Sequence, residues 1–247
     1  MKNARAQKYR WIYKVLALAL IAFAIVAGFA IDRQQLTKDF GGESWRNIFF
    51  HVPMWYAMMV MFFYSCWQSM QFLNKGNLKS DGKAVNAAHA GILFGLLGLS
   101  TGILWARVTW VREIESGELQ AWWAGDPKQN AALILVLIYL GYFLVRSSIA
   151  EPVRKAKVSA VLNVFGAAMI VPLLYIVPRV AAFSSHPGSG EEGILAALKS
   201  LDAGQRMIFY PSAAGFILLG IWLTELRSRI AEAGEKINDA LANSTPS

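Results

Sequence analysis

The chain has 247 residues, of which 55% are hydrophobic and only 16% charged, with a formal net charge of +8. That is too little charged surface for an ordinary soluble domain of this size, and the composition points to an integral membrane protein. A single cysteine, Cys66, excludes a disulfide framework and a Cys-based metal site.

Six uncharged runs approach the length needed to cross a hydrocarbon layer of about 30 Å: 15–31, 48–73, 84–106, 129–145, 158–178 and 207–224. They are continuously apolar and lack the alternation of a membrane barrel strand, so the expected fold is all-α, a single transmembrane domain built as a six-helix bundle. The first run follows five basic residues (Lys2, Arg5, Lys8, Arg10, Lys14) and no acid. With no small-residue cleavage site before Asp32, it reads as a retained helix. Segments 74–83 and 146–157 carry three and four Lys or Arg. In 32–47, 107–128 and 179–206 the three basic residues of each are matched or exceeded by acids. Both termini are therefore expected on the cytoplasmic side of the membrane, and the positive charge is mostly a topology signal, with nucleic-acid binding a weak reading of it.

The second run opens with "FFHVPMW", holding His51 about one turn in, with Pro53 suited to a first helical turn. Cys66 within it reads as a small packing residue. The third carries His89 near its cytoplasmic start, then Gly91, Gly95, Gly98 and Gly102, a small-residue spacing that permits close helix packing. An outer connection over 105–128 follows, with Trp105, Trp110, Trp122 and Trp123. In it Asp126 is expected as N-cap, and Pro127 as first residue, of the fourth helix. The fifth run holds Pro172 and ends at Pro178, so a kink is expected before the outer connection 179–206 with "FSSHPGSG" and His186. The tail, 228–247, reads as a frayed cytoplasmic helix end. Trp11, Trp45 and Trp55, taken singly, fit an interfacial aromatic belt.

The topology gathers His51, His186 and the Trp-rich connection on one outer face. Two imidazoles can fill both axial positions of a haem iron, and indole rings can cover the macrocycle. Its propionates could pair with Arg46, Arg107, Arg112, Arg179 or Arg206. His89 lies across the bilayer from the pair; an intramembrane histidine is a functional candidate by default, and a bond across a close helix contact is the alternative.

With "FFHVPMW", "STGILWARVTW", "AWWAGDPKQNAALILVLIYLGY" and "SSHPGSG" in this order across six spans, the chain resembles the haem-handling membrane proteins of cytochrome c maturation, closest to the CcmC branch. The resemblance covers all but the first ten residues and the polar tail. It implies that His51 and His186 are the axial ligands and that Trp105, Trp110, Trp122, Trp123 and Asp126 belong to a haem platform. It further implies that haem b, held as transferred substrate, passes to the haem chaperone CcmE in concert with CcmA, CcmB and CcmD. No catalysis by this chain is implied. Two features depart from the family core, roughly W-G-x-x-W-x-W-D: Gly125 stands where a tryptophan precedes Asp126, and "VREIESGEL" separates Trp110 from Trp122.

The "DPK" element is similar to the CcsA branch, a haem-lyase alternative, but a second, intramembrane histidine pair is missing. A bis-His electron-transfer subunit would place its ligands within the bundle, and a permease would show broken helices or repeats. No G-x-x-x-x-G-K-[ST] motif is present, so any ATP is used by a partner.

Overall fold

The first helix, α1 (Lys2–Ala30), ends where the Arg46 guanidinium donates from Nη1 to the carbonyls of Gly28, Phe29 and Ile31 at 2.9, 3.2 and 2.9 Å. These are among the C-terminal carbonyls that a helix cannot satisfy internally. Arg46 also pairs with Glu43 at 2.6 Å, so this candidate for a propionate is already committed to capping. The computed structural model describes residues 2–32, 42–109, 122–181, 183, 184, 186, 199 and 201–244. Trp110 and Arg112 lie outside them.

A 3₁₀ turn, Gly42–Asn47, runs directly into α2 (Ile48–Lys75), and α3 (Leu78–Thr109) returns antiparallel to it. Then follow α4 (Pro127–Ser148), α5 (Pro152–Ala168) with a π-helical stretch at Pro172–Ile176 and a last turn Val177–Val180, and α6 (Ala203–Ser244). All six helices are long and apolar enough to cross a membrane, and the described residues contain no strand. The protein is a multi-pass membrane bundle. The expected kink at Pro172 takes the form of the π stretch that starts there, because proline removes the N–H that would continue the α-helical ladder.

Three local expectations are corrected. Pro53 is not in a first turn but inside α2, five residues beyond its start. The carbonyl it leaves without an N–H, that of Phe49, is satisfied by the Ser212 hydroxyl of α6. The tail is no frayed end: α6 continues to Ser244. Trp45 is 2% exposed and packs edge-on to Trp105 at 5.5 Å, so it is not a belt residue; Trp55 is half-buried and Trp11 is exposed.

Helix α2 contacts α3, α5 and α6 and forms the middle of the bundle. The α2·α3 seam explains the glycines of α3. A Cβ at Gly91, Gly95, Gly98 or Gly102 would fall 2.5, 3.1, 2.9 or 2.7 Å from Phe62, Met58, Trp55 or His51 respectively. Each missing side chain thus admits one bulky side chain of α2, in antiparallel register, and the last place in the series belongs to a histidine. Below it, Phe62 stacks on Tyr139 of α4 with ring centres 3.4 Å apart, fixing the mid-membrane core.

Candidate functional site

His51 is 4% exposed and lies in the notch that Gly102 leaves in α3. Its Nδ1 is 3.0 Å from Thr101 Oγ1, and that hydroxyl directs its own proton to the carbonyls of Leu97 or Gly98 at 2.9 and 3.0 Å. A hydroxyl has one proton to give, so Thr101 acts as acceptor toward the ring. This arrangement favours the Nδ1–H tautomer of His51, which leaves the lone pair of Nε2 to a ligand.

Around this imidazole stand Trp105 and Trp55, ring centres 5.7 and 6.2 Å away and planes turned by 75° and 76°. The buried Trp105 Nε1–H has no hydrogen-bond partner among the described residues, which leaves an unused donor beside the imidazole. His186, half-buried, completes the group with its ring centre 6.4 Å from that of His51 and a tilt of 41°.

His186 reaches this position through a relay that begins at α4. Asp126 is the N-cap, its Oδ1 accepting from the backbone N–H of Lys128 and Gln129 at 2.8 and 3.4 Å, with Pro127 at the first helical position. The capping expectation is met. The other carboxylate oxygen accepts from the Ser184 hydroxyl at 2.7 Å, and Ser184 Oγ in turn accepts from the backbone N–H of His186 at 3.3 Å. One buried aspartate thus starts a transmembrane helix and fastens the segment that carries the second histidine.

Trp122 and Trp123 are 59% and 36% exposed. The Arg107 guanidinium lies 4.0 Å over the Trp122 ring, an arrangement suited to cation–π attraction. Trp123 donates from Nε1 to Asn130 Oδ1 at 2.9 Å, and Asn130 Nδ2 returns to the Gly125 carbonyl at 3.0 Å. Gly125 has φ +71°, a left-handed conformation that a tryptophan there would adopt only under strain. Trp123 is thus held to the start of α4, whereas Trp122 lies against Arg107 at the end of α3.

The structure therefore brings His51, His186 and Trp105 into one cluster and links Asp126 to it. Trp122 and Trp123 stand on the neighbouring rim, with their polar contacts to Arg107 and Asn130. Arg206 donates from Nε to the Asp202 carbonyl at 3.3 Å. His89 is remote from the cluster: its Nδ1 bonds the Val85 carbonyl at 2.8 Å and its ring packs 4.2 Å from Phe143. Residues not expected from the sequence are Thr101, Gly102, Ser184 and Trp55. The run Thr101-Gly102, in register with the α3 glycine series, was the available signal for two of them.

Comparison with known proteins gives a consistent picture. The family model described as "Heme exporter protein C" matches residues 2–184. The chain is 28% identical to the heme exporter protein C of Paracoccus denitrificans over 76% of this chain and 73% of the relative. It is also 28% identical to that of Rhodobacter capsulatus over 89% of this chain and 84% of the relative. A shorter match, 30% identical over 40% of this chain and 28% of the relative, is to the cytochrome c biogenesis protein CcsA of Prochlorococcus marinus.

Proposed function

This chain belongs to the heme exporter protein C (CcmC) family of cytochrome c biogenesis, and we propose that it holds haem b between His51 and His186 at the outer face of the bacterial inner membrane and hands it to the chaperone CcmE. The N-terminus is then cytoplasmic, CcmA, CcmB and the small CcmD are partners, and the chain transfers its substrate without breaking a bond in it.

The observation that carries this reading is the 6.4 Å separation of the two imidazole centres. An imidazole nitrogen sits about 2 Å from a bound transition metal and roughly 1 Å from its own ring centre, so two trans imidazoles place their centres about 6 Å apart. The free Nε2 of His51 supplies one donor. Trp105 and Trp55, whose rings stand beside His51 with planes turned 75° and 76° from it, would supply flat apolar surface to a bound macrocycle. Thr101 fixes the tautomer of one ligand and the Asp126–Ser184 relay positions the other, the role that hydrogen-bonded neighbours play around metal-binding histidines. Trp122, Trp123 and, beyond the described residues, Trp110 extend the platform toward the chaperone, with Arg107 at its rim as a partner for a propionate.

The test is an absorption spectrum of detergent-purified protein, wild type beside His51→Ala and His186→Ala, oxidised and reduced. Six-coordinate low-spin haem is expected in the wild type, and each substitution should weaken it or convert it to a five-coordinate form. A spectrum indifferent to both substitutions overturns the ligand assignment. The CcsA match favours a second reading, participation in thioether formation. That reading requires a covalent haem–cytochrome product from this chain and an apocytochrome alone.

A further inference from the structure

At the end of the bundle opposite the histidines, α1 and α6 enclose a pocket of about 170 Å³ lined by Arg10, Trp11, Lys14, Glu225 and Arg229. Its charges do not balance. Arg10, Lys14 and Arg229 all turn to the single carboxylate of Glu225, at 2.5, 3.1 and 3.8 Å. The Tyr13 hydroxyl donates to the other oxygen of that carboxylate, and among the described residues that line the pocket three cations share this one anion. Arg10 and Arg229 have side chains 42% and 58% exposed, so both guanidinium groups are accessible to an incoming anion. Lys14 is held over the Trp222 ring, its Nζ 5.5 Å from the ring centre, which keeps the ammonium at the pocket wall.

The surroundings define the ligand. Trp11, 61% exposed at the start of the membrane-crossing part of α1, sits where indoles mark the headgroup level. Directly beyond it, Val15 and Leu18 leave an outward apolar strip on α1. An anion that reaches this pocket with apolar chains attached places its charge among the cations and its chains along that strip. We propose that the pocket binds the phosphate of an anionic phospholipid headgroup, with Arg10 and Arg229 as the donors and Glu225 as a resident carboxylate that competes with it. Basic pockets between membrane helices recognise such headgroups, and each Lys or Arg near an anionic surface contributes about a fivefold preference.

The site is independent of the haem cluster, which lies at the other end of α1 and α2, so its variants should leave the haem spectrum intact. The full chain in detergent would be equilibrated with phosphatidylglycerol or phosphatidylcholine and retained lipid counted by native mass spectrometry. Wild type should retain phosphatidylglycerol about fivefold or more in excess, and Arg10→Gln/Arg229→Gln should abolish the excess. Glu225→Gln, which removes the competing negative charge, should enlarge it. A purely structural role for the cluster predicts instead that Glu225→Gln loosens retention of both lipids alike. Equal retention of the two lipids by wild type overturns the proposal, as does an excess that survives the double substitution. Loss of phosphatidylglycerol to competing inorganic phosphate would assign the pocket to free phosphate, and loss of haem in the double variant would assign it to haem carboxylates; both outcomes overturn the lipid.

Discussion

Around the two histidines the polar side chains are joined as relays of single hydrogen bonds, Thr101 to His51 on one side and Asp126 through Ser184 to His186 on the other, and the Arg46–Glu43 pair at this end caps α1 without touching either ring. At the opposite end they are joined as ion pairs. Asp81 at the start of α3 meets Arg146 at the end of α4 in a two-pronged contact of 2.8 and 2.6 Å, and Glu225 collects three cations. The two constructions do different work. Ion pairs fasten helix ends, whereas the relays orient imidazoles without consuming the nitrogen that a metal would need. Substitutions should therefore separate the ends, one set reading out in stability and the other in haem.

The largest effect is expected where a charge is stranded. The side chains of Arg146 and Asp81 are 15% and 12% exposed, so Asp81→Asn leaves a largely buried guanidinium without its counter-ion. Removing one partner of a buried pair costs about 3 kcal/mol or more. Denaturation of the detergent-solubilised variant should register that loss, while the folded fraction keeps the wild-type haem spectrum. An altered spectrum at unchanged stability would break the division between the ends.

A smaller, opposite pattern is expected of Thr101→Val. Valine preserves the shape of threonine on α3 but cannot accept from His51 Nδ1–H, and loss of such a second contact typically weakens metal binding about tenfold. Haem retention during dilution should fall by that factor with stability little changed. Retention equal to wild type would show that the Gly102 notch alone holds the imidazole.

Much of this was legible in the sequence, for physical reasons that also set its limits. A membrane span needs a long apolar run and leaves few ways to satisfy a backbone, so six helices could be read from hydropathy alone. The Asp126-Pro127 cap was legible because N-caps obey local rules, and the cap lies in a loop with little competing signal. Thr101 and Ser184 were not, because an alcohol becomes a positioning group only through a neighbour distant in sequence, 50 residues in one case and 58 in the other. Trp45 was misread for the same reason: a tryptophan near a helix start suits an interfacial belt until Trp105 is seen to cover it. Gly98 and Gly102 carried the signal for close packing but not its use, since nothing in a glycine says which ring fills the space.

The smallest effect, and the sharpest discrimination, is expected at Asp126, where helix capping and ligand placement meet in one carboxylate. Asp126→Ala removes both the cap, worth about 1 kcal/mol, and the anchor of Ser184. It should lower stability modestly and, in addition, loosen the haem contact made by His186 while leaving that of His51. Asp126→Asn separates the two roles by chemistry. Asparagine is as good an N-cap as aspartate, and its carbonyl oxygen can take the place of Oδ1 at Lys128 and Gln129. Its Nδ2 can then donate to Ser184 Oγ, which reverses the direction of that hydrogen bond but keeps the two groups in contact. The asparagine variant should thus retain stability and six-coordinate haem, and the alanine variant should show a five-coordinate fraction. If asparagine fails as alanine does, the negative charge of Asp126 matters in itself, and the aspartate serves the substrate beyond its part in placing His186.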